Sequence, residues 1–191
     1  MRILQRPLAG NAEQLDTLLC KFLSRFLRIG TSNIESVAAK FCEAYGLHEF
    51  PRDPRHHLPL FGIEIESLNL GEVRAVWIRC QGSYIIQCSK FLPWQLGLVL
   101  WHEFFESLSA QVRFPSRLPS LIEERLATRF AVCLMMPDVD ILKHCSELRH
   151  PEVNKTGELA DRFGVSFTAM KIRLRELRLE HKSELARCRY L

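Results

Sequence analysis

The sequence predicts an α+β domain, mainly helical, with a small antiparallel β-sheet and a helix-turn-helix-like pair of helices at its end. Three observations lead there. Apolar residues recur at helical spacing over most of the chain, a block around residues 63–89 alternates at strand spacing instead, and two short capped helices around a glycine come near the end. A chain of 191 residues suits one domain with a small appendage. The expected divide is a main unit over 1–150, which includes a helical N-terminal extension, and a helix-turn-helix-like segment over 151–191 packed on it.

Composition narrows the class. With 25% charged and 47% hydrophobic residues and a net charge of +4, the chain has the make-up of a soluble globule, too weakly basic overall to argue for nucleic acid. The excess positive charge is concentrated at the end, where Lys171 to Leu191 hold seven Lys and Arg against three Glu. Seven cysteines, Cys20, Cys42, Cys80, Cys88, Cys133, Cys145 and Cys188, are scattered without a C-x-x-C pair, which is the usage of reduced thiols in a cytoplasmic protein. No apolar run reaches secretory or membrane-spanning length, so neither a signal peptide nor a membrane contact is expected.

Residues 12–29 carry Leu15, Leu18, Leu19, Phe22, Phe26 and Leu27 on one helical face, with Gly30 placed to end the helix. A second helix follows, capped by Ser32, buried through Ile34, Val37, Ala38, Phe41, Cys42 and Tyr45, and stopped by Gly46. Pro51, Pro54 and Pro59 then impose a turn-rich link. The adjacent His56 and His57 lie in it with no third ligand nearby, which favours a turn or surface role over a metal site. Ile63-Glu64-Ile65 alternates like a short strand, and Val73 to Arg79 and Ser83 to Ser89 read as a hairpin.

Pro93 opens a helix that is apolar almost all round, through Leu96, Leu98, Val99, Leu100, Trp101, Phe104, Phe105 and Leu108, which marks it as central and buried. Three ionisable residues interrupt it. His102 and Glu106 stand one turn apart on a face, with Glu103 beside them, so the stretch reads as H-E-x-x-H with a carboxylate in the second imidazole position. In the intact motif two imidazoles hold zinc and the glutamate serves as base toward a water. Buried carboxylates lose several kcal/mol of hydration or take up a proton, so a divalent cation, an Arg partner or a cleft open to water must compensate these.

After Pro115 and Pro119, Ser120 to Ala131 begins as a capping box of Ser120 and Glu123. Glu124 shares a face with the small residues Ala127 and Ala131, which permit close approach of another helix. Two readings stand side by side for Glu124: a third metal ligand, or an acidic residue that answers the helix dipole. Met135-Met136-Pro137 closes that helix and Asp138 to Leu148 forms a short one. Thr156 to Ser166 then gives a capped helix, a glycine turn and a new cap, and Ala169, Ile172, Leu174 and Leu177 mark the helix that follows. On that last helix Lys171, Arg173 and Arg175 offer positive charge to DNA phosphates, or else the pair of helices packs on its neighbour.

The order of these parts resembles the ImmA/IrrE family of metallopeptidases. The resemblance rests on a hairpin, His102-Glu103-Phe104-Phe105-Glu106, Glu124 to Ala131 as E-x-x-A-x-x-F-A, Leu134-Met135-Met136-Pro137, Leu159 to Ser166 as L-A-x-x-F-G-V-S, and Arg173-Leu174, over roughly residues 33–178. It implies a compact zinc-peptidase fold in which His102 and Glu124 are ligands and Glu103 is the general base and acid. It also implies a helix-turn-helix transcriptional repressor as substrate or partner, and a role in stress response or mobile-element control.

Two positions depart from the family pattern: Glu106 stands where a second imidazole is expected, and Trp101 is bulky where a small residue is usual. With His102, Glu106 and Glu124 as ligands the charge of Zn(II) is cancelled, whereas two imidazoles and one carboxylate would leave +1. A neutral site is a weaker Lewis acid, and its oxygen-rich donors shift preference from Zn(II) toward harder ions such as Mn(II). Three readings remain open: a peptidase with altered metal use, a metal-binding pseudoenzyme, and a metal-free module that binds a repressor or DNA.

Overall fold

A computed structural model describes residues 33–80, 83–91, 96–111, 120–147 and 155–179. The expected N-terminal helix over 12–29 lies outside these residues. Helix α1 spans Ile34–Tyr45 and buries Ile34, Val37, Ala38, Phe41 and Cys42, while Gly46, at φ 69°, turns the chain out of the helix and donates its N–H to the Cys42 carbonyl. The short α2, Pro54–His57, and a 3-10 turn over Leu58–Phe61 follow, set by the prolines of the link. His56 is exposed there, and the His57 ring stacks 6.3 Å from that of Trp101.

The three strands, β1 Ile63–Leu68, β2 Ala75–Cys80 and β3 Ser83–Ser89, form one sheet in the order β1-β3-β2. The hairpin of β2 and β3 is antiparallel as expected, with Trp77 opposite Ile86. The sheet as a whole is mixed and not antiparallel, because β1 pairs with β3 in parallel, Ile63 opposite Tyr84 through Leu68 opposite Ser89. The link 69–74 therefore passes over the end of β3, held by Ser89 N–H to the Arg74 carbonyl and Lys90 N–H to the Leu68 carbonyl. Extended, a link of that length reaches roughly 20 Å. The two-strand gap it bridges is only roughly 10 Å. Placing β3 in the middle leaves β2 as an edge strand.

Helix α3, Leu96–Gln111, runs beneath β2 and β3 and packs against α4, Ser120–Met135. Its Leu100, Trp101, Phe104, Phe105 and Leu108 are buried, and with Phe41, Phe61 and Phe130 they make a largely aromatic core of edge, tilted and stacked contacts. Trp101 fits because its indole N–H has a partner, the Arg52 carbonyl at 3.0 Å. Glu123, the expected capping-box partner of Ser120, accepts from the Ser109 hydroxyl of α3.

The remaining helices are α5, Asp138–Glu147, α6, Lys155–Phe163, and α7, Phe167–Glu176. Ser166 caps α7 by accepting from Ala169 N–H. The pair α6–α7 packs on the rest of the fold. Phe163 lies against Phe50 and His144, and Arg173, 1% exposed, donates to the Met136 carbonyl and pairs with Glu176 at 3.1 Å. Arg129 of α4 reaches Glu176 at 2.6 Å and Glu35 of α1, so three helices meet in one ion network. Among the described residues, Cys42, Cys80, Cys88, Cys133 and Cys145 are free thiols, and no helix is long and apolar enough to cross a membrane.

The turn between α6 and α7 depends on Gly164, at φ 65°, whose added Cβ would stand 2.7 Å from Pro51 Cβ. Gly164→Ala must therefore strain the backbone and push the turn off the proline link. The expected loss in urea unfolding is about 2 to 4 kcal/mol. An unchanged midpoint would show that α6–α7 do not dock there.

Candidate metal centre

Two helices build the site. α3 presents His102 and Glu106 one turn apart on the side away from its aromatic core, and α4 presents Glu124. Ala127 and Ala131, both buried on α4, have too little bulk to hold the helices apart. His102 Nε2 lies 3.4 Å from Glu106 Oε1 and 3.6 Å from Glu124 Oε2, and one donor atom from each of the three falls within 4.8 Å of the others. Donors about 2.0 to 2.2 Å from a tetrahedral ion sit roughly 3.3 to 3.6 Å apart, and the two spacings from His102 Nε2 fall in that range. Arg125 is exposed.

The acids around His102 govern its charge. Burial lowers its proton affinity, but the hydrogen bond to Glu106 and the charges of Glu106, Glu124 and Glu103 outweigh this, and its pKa is raised. Glu106 is lowered, first by its hydrogen bond with His102, against burial, with further help from the imidazole charge and a hydrogen bond with Glu124. Glu103 behaves oppositely. It is 9% exposed, and burial together with the charge of Glu106 pushes its carboxyl up to about 7, although His102 and a backbone hydrogen bond from Trp77 pull the other way.

The three acids and His102 open into a cleft of about 810 Å³. Arg74, Val76 and Trp77 of the edge-strand region form one wall, and Thr168, Ala169 and Ile172 of α7 form another. His102, Glu103, Glu106 and Glu124 are thus brought into one cleft, while His56 and His57 are not among its lining residues. Of the basic residues singled out on α7, Arg173 is sealed inside the fold by Met136 and Glu176 and cannot meet a phosphate. The sequence reading missed Thr128. Its hydroxyl lies 3.2 Å from His102 Nδ1, and its position one turn after Glu124 is the signal that places it on the same face.

With this geometry in view, comparisons with known proteins gave two findings and one blank. No curated protein matches the chain. A solved structure of a Mycobacterium tuberculosis transcriptional regulator shares the fold, with a TM-score of 0.52 at 16% identity, covering 84% of this chain and 51% of that one. The chain thus spans about half the length of that structure. Residues 94–175, which carry α3 through most of α7, match the IrrE N-terminal-like domain, Peptidase_M78. Over that segment, less than half of its length, the chain is similar to the ImmA/IrrE family of metallopeptidase-like proteins.

Proposed function

We propose that this protein is a divalent-metal-dependent endopeptidase-like protein acting on a helix-turn-helix transcriptional repressor, with His102, Glu106 and Glu124 as ligands and Glu103 as general base and acid. The observation that carries the reading is the convergence of those three donors beside a buried carboxyl with a pKa of about 7. When bound, a Zn(II) or Mn(II) ion would supply Lewis-acid polarisation of the substrate carbonyl and of water. Glu103, poised near neutrality, takes the proton of the attacking water and returns it to the departing amine. Trp77 N–H holds its carboxylate against the sheet edge. β2, an edge strand among the described residues, offers an extended peptide main-chain hydrogen bonds, and Leu98, Val99 and Val132 add apolar surface to the cleft. The repressor as target comes from the family, and the likeness to a transcriptional regulator agrees with it.

A second reading is favoured by the donor set itself. Two carboxylates and one imidazole cancel the charge of a dication, which weakens it as a Lewis acid, so a metal-binding pseudoenzyme that captures a repressor without cutting it follows from the same geometry. Direct DNA binding through α7 would rest on Lys171 and Arg175, since Arg173 is buried.

Glu106→His and Glu103→Gln separate these readings when assayed on candidate repressors with Zn(II) and Mn(II), bound metal being measured alongside. Glu106→His is expected to raise Zn(II) affinity and cleavage, and Glu103→Gln to lower cleavage ~10²-fold or more with metal still bound. If Glu106→His binds Zn(II) fully and cuts no repressor, the pseudoenzyme reading replaces the peptidase. If the unmodified protein with Mn(II) outpaces Glu106→His with Zn(II), the carboxylate is an adaptation to a harder ion.

A pH signature follows from Glu103 in chelator-treated protein. Its folded pKa of about 7 lies above the ordinary 4.5, so the proton is held more tightly in the folded state. That contribution to stability is fully present below about pH 4.5 and is lost as pH rises through about 7. Glu103→Gln lacks this titration, so its stability relative to the unmodified protein should rise between those limits, by at most about 3 kcal/mol. Chemical denaturation at pH 5 and pH 8 measures the difference; a gap that does not change with pH would contradict the buried, raised carboxyl.

A further inference from the structure

We propose that Thr128 is a positioning residue for His102, its hydroxyl holding Nδ1 so that Nε2 faces the gap shared with Glu106 and Glu124. The part that concerns a cation rests on the function proposed above. The contact itself is geometric: Thr128 Oγ1 lies 3.2 Å from His102 Nδ1, while Nε2 lies 3.4 Å from Glu106 and 3.6 Å from Glu124. One ring therefore meets a hydroxyl on one side and two carboxylates on the other, and a half-turn about its bond to the backbone side would forfeit both sets of contacts.

α4 makes the arrangement compact. Glu124 and Thr128 are one turn apart, so the helix that brings a donor to the gap also brings the group that aims the imidazole at it. A ligating histidine normally donates its second ring N–H to an outer partner, which fixes its orientation and tautomer. A hydroxyl suits this place for an electrostatic reason. It accepts Nδ1–H whether Nε2 carries a proton or a cation, and it adds no charge to a cleft that already holds Glu103, Glu106 and Glu124. A carboxylate there would make four acids around one imidazole.

Thr128→Val keeps the side-chain shape and removes the hydroxyl, and Thr128→Ser keeps the hydroxyl. Thr128 is exposed on its helix, so both should fold, and Thr128→Ala is a third variant without the hydroxyl should valine disturb packing. In the full chain, Zn(II) affinity by chelator competition should fall 10- to 100-fold in Thr128→Val and return in Thr128→Ser. In chelator-treated protein, the imidazole ¹⁵N resonance of His102 Nδ1 should move in Thr128→Val and Thr128→Ala and be restored in Thr128→Ser. An Nδ1 resonance that stays in place without the hydroxyl overturns the proposal. So does unchanged Zn(II) affinity in a variant of a protein that binds Zn(II). If the unmodified protein takes neither Zn(II) nor Mn(II), the metal reading fails on its own, and the Nδ1 resonance alone still decides whether Thr128 holds the ring.

Discussion

The structure turns on the cost of placing His102, Glu103 and Glu106 on a helix that is otherwise the aromatic centre of the fold. Leu100, Trp101, Phe104, Phe105 and Leu108 bind α3 into the core, and no rotation of the helix can bury them and also carry its acids out to bulk water. The solution is a cleft. β2 lies over Glu103 and gives it one backbone N–H, α4 brings Glu124 and Thr128 to His102, and the carboxyl with least access to solvent, Glu103, meets the cost by holding its proton to about 7. The same desolvation that penalises the acids gives the site its chemical potential, since a carboxyl that titrates near neutrality can both take and give a proton.

The cleft keeps its shape because the far end of α4 is tied down. Arg52, 5% exposed, donates to the Leu134 carbonyl at 2.6 Å, and Arg173 donates to the Met136 carbonyl at 3.0 Å, so two buried guanidiniums occupy carbonyls that a helix end leaves unpaired. Arg52 also receives the Trp101 indole N–H on its own carbonyl. α3, the proline link and α4 are therefore joined through one residue, and α7 is joined to α4 through another. This gives the Arg173-Leu174 pair a structural role: it seats α7 as a wall of the cleft.

Much of this was legible in the sequence because it depends on local rules. Helix periodicity located α1, α3 and α4, Gly46 and Gly164 marked turns with positive φ, and the i, i+4 spacing put His102 and Glu106 on one face. Glu124 was singled out by its neighbours Ala127 and Ala131, and it does stand against His102. What was not legible depends on pairing across distance. Nothing local in Ile63–Leu68 states that it skips β2 and joins β3 in parallel, since the link 69–74 is short enough to suggest a simple hairpin. Arg173 has the spacing of a phosphate-binding residue and is instead buried, because its partners Met136, Glu35 and Glu176 come from three different segments. Thr128 is an ordinary helix residue until His102 is set beside it.

X-ray absorption of the protein loaded with Zn(II) tests the central claim most directly, because it counts and identifies donors. The account predicts a first shell of nitrogen and oxygen at about 2.0 to 2.2 Å with the outer-shell scattering of a single imidazole, and loss of that imidazole signal in His102→Ala. A shell containing two or more imidazoles, or one that persists unchanged in His102→Ala, would place the ion elsewhere and contradict the assignment of His102, Glu106 and Glu124.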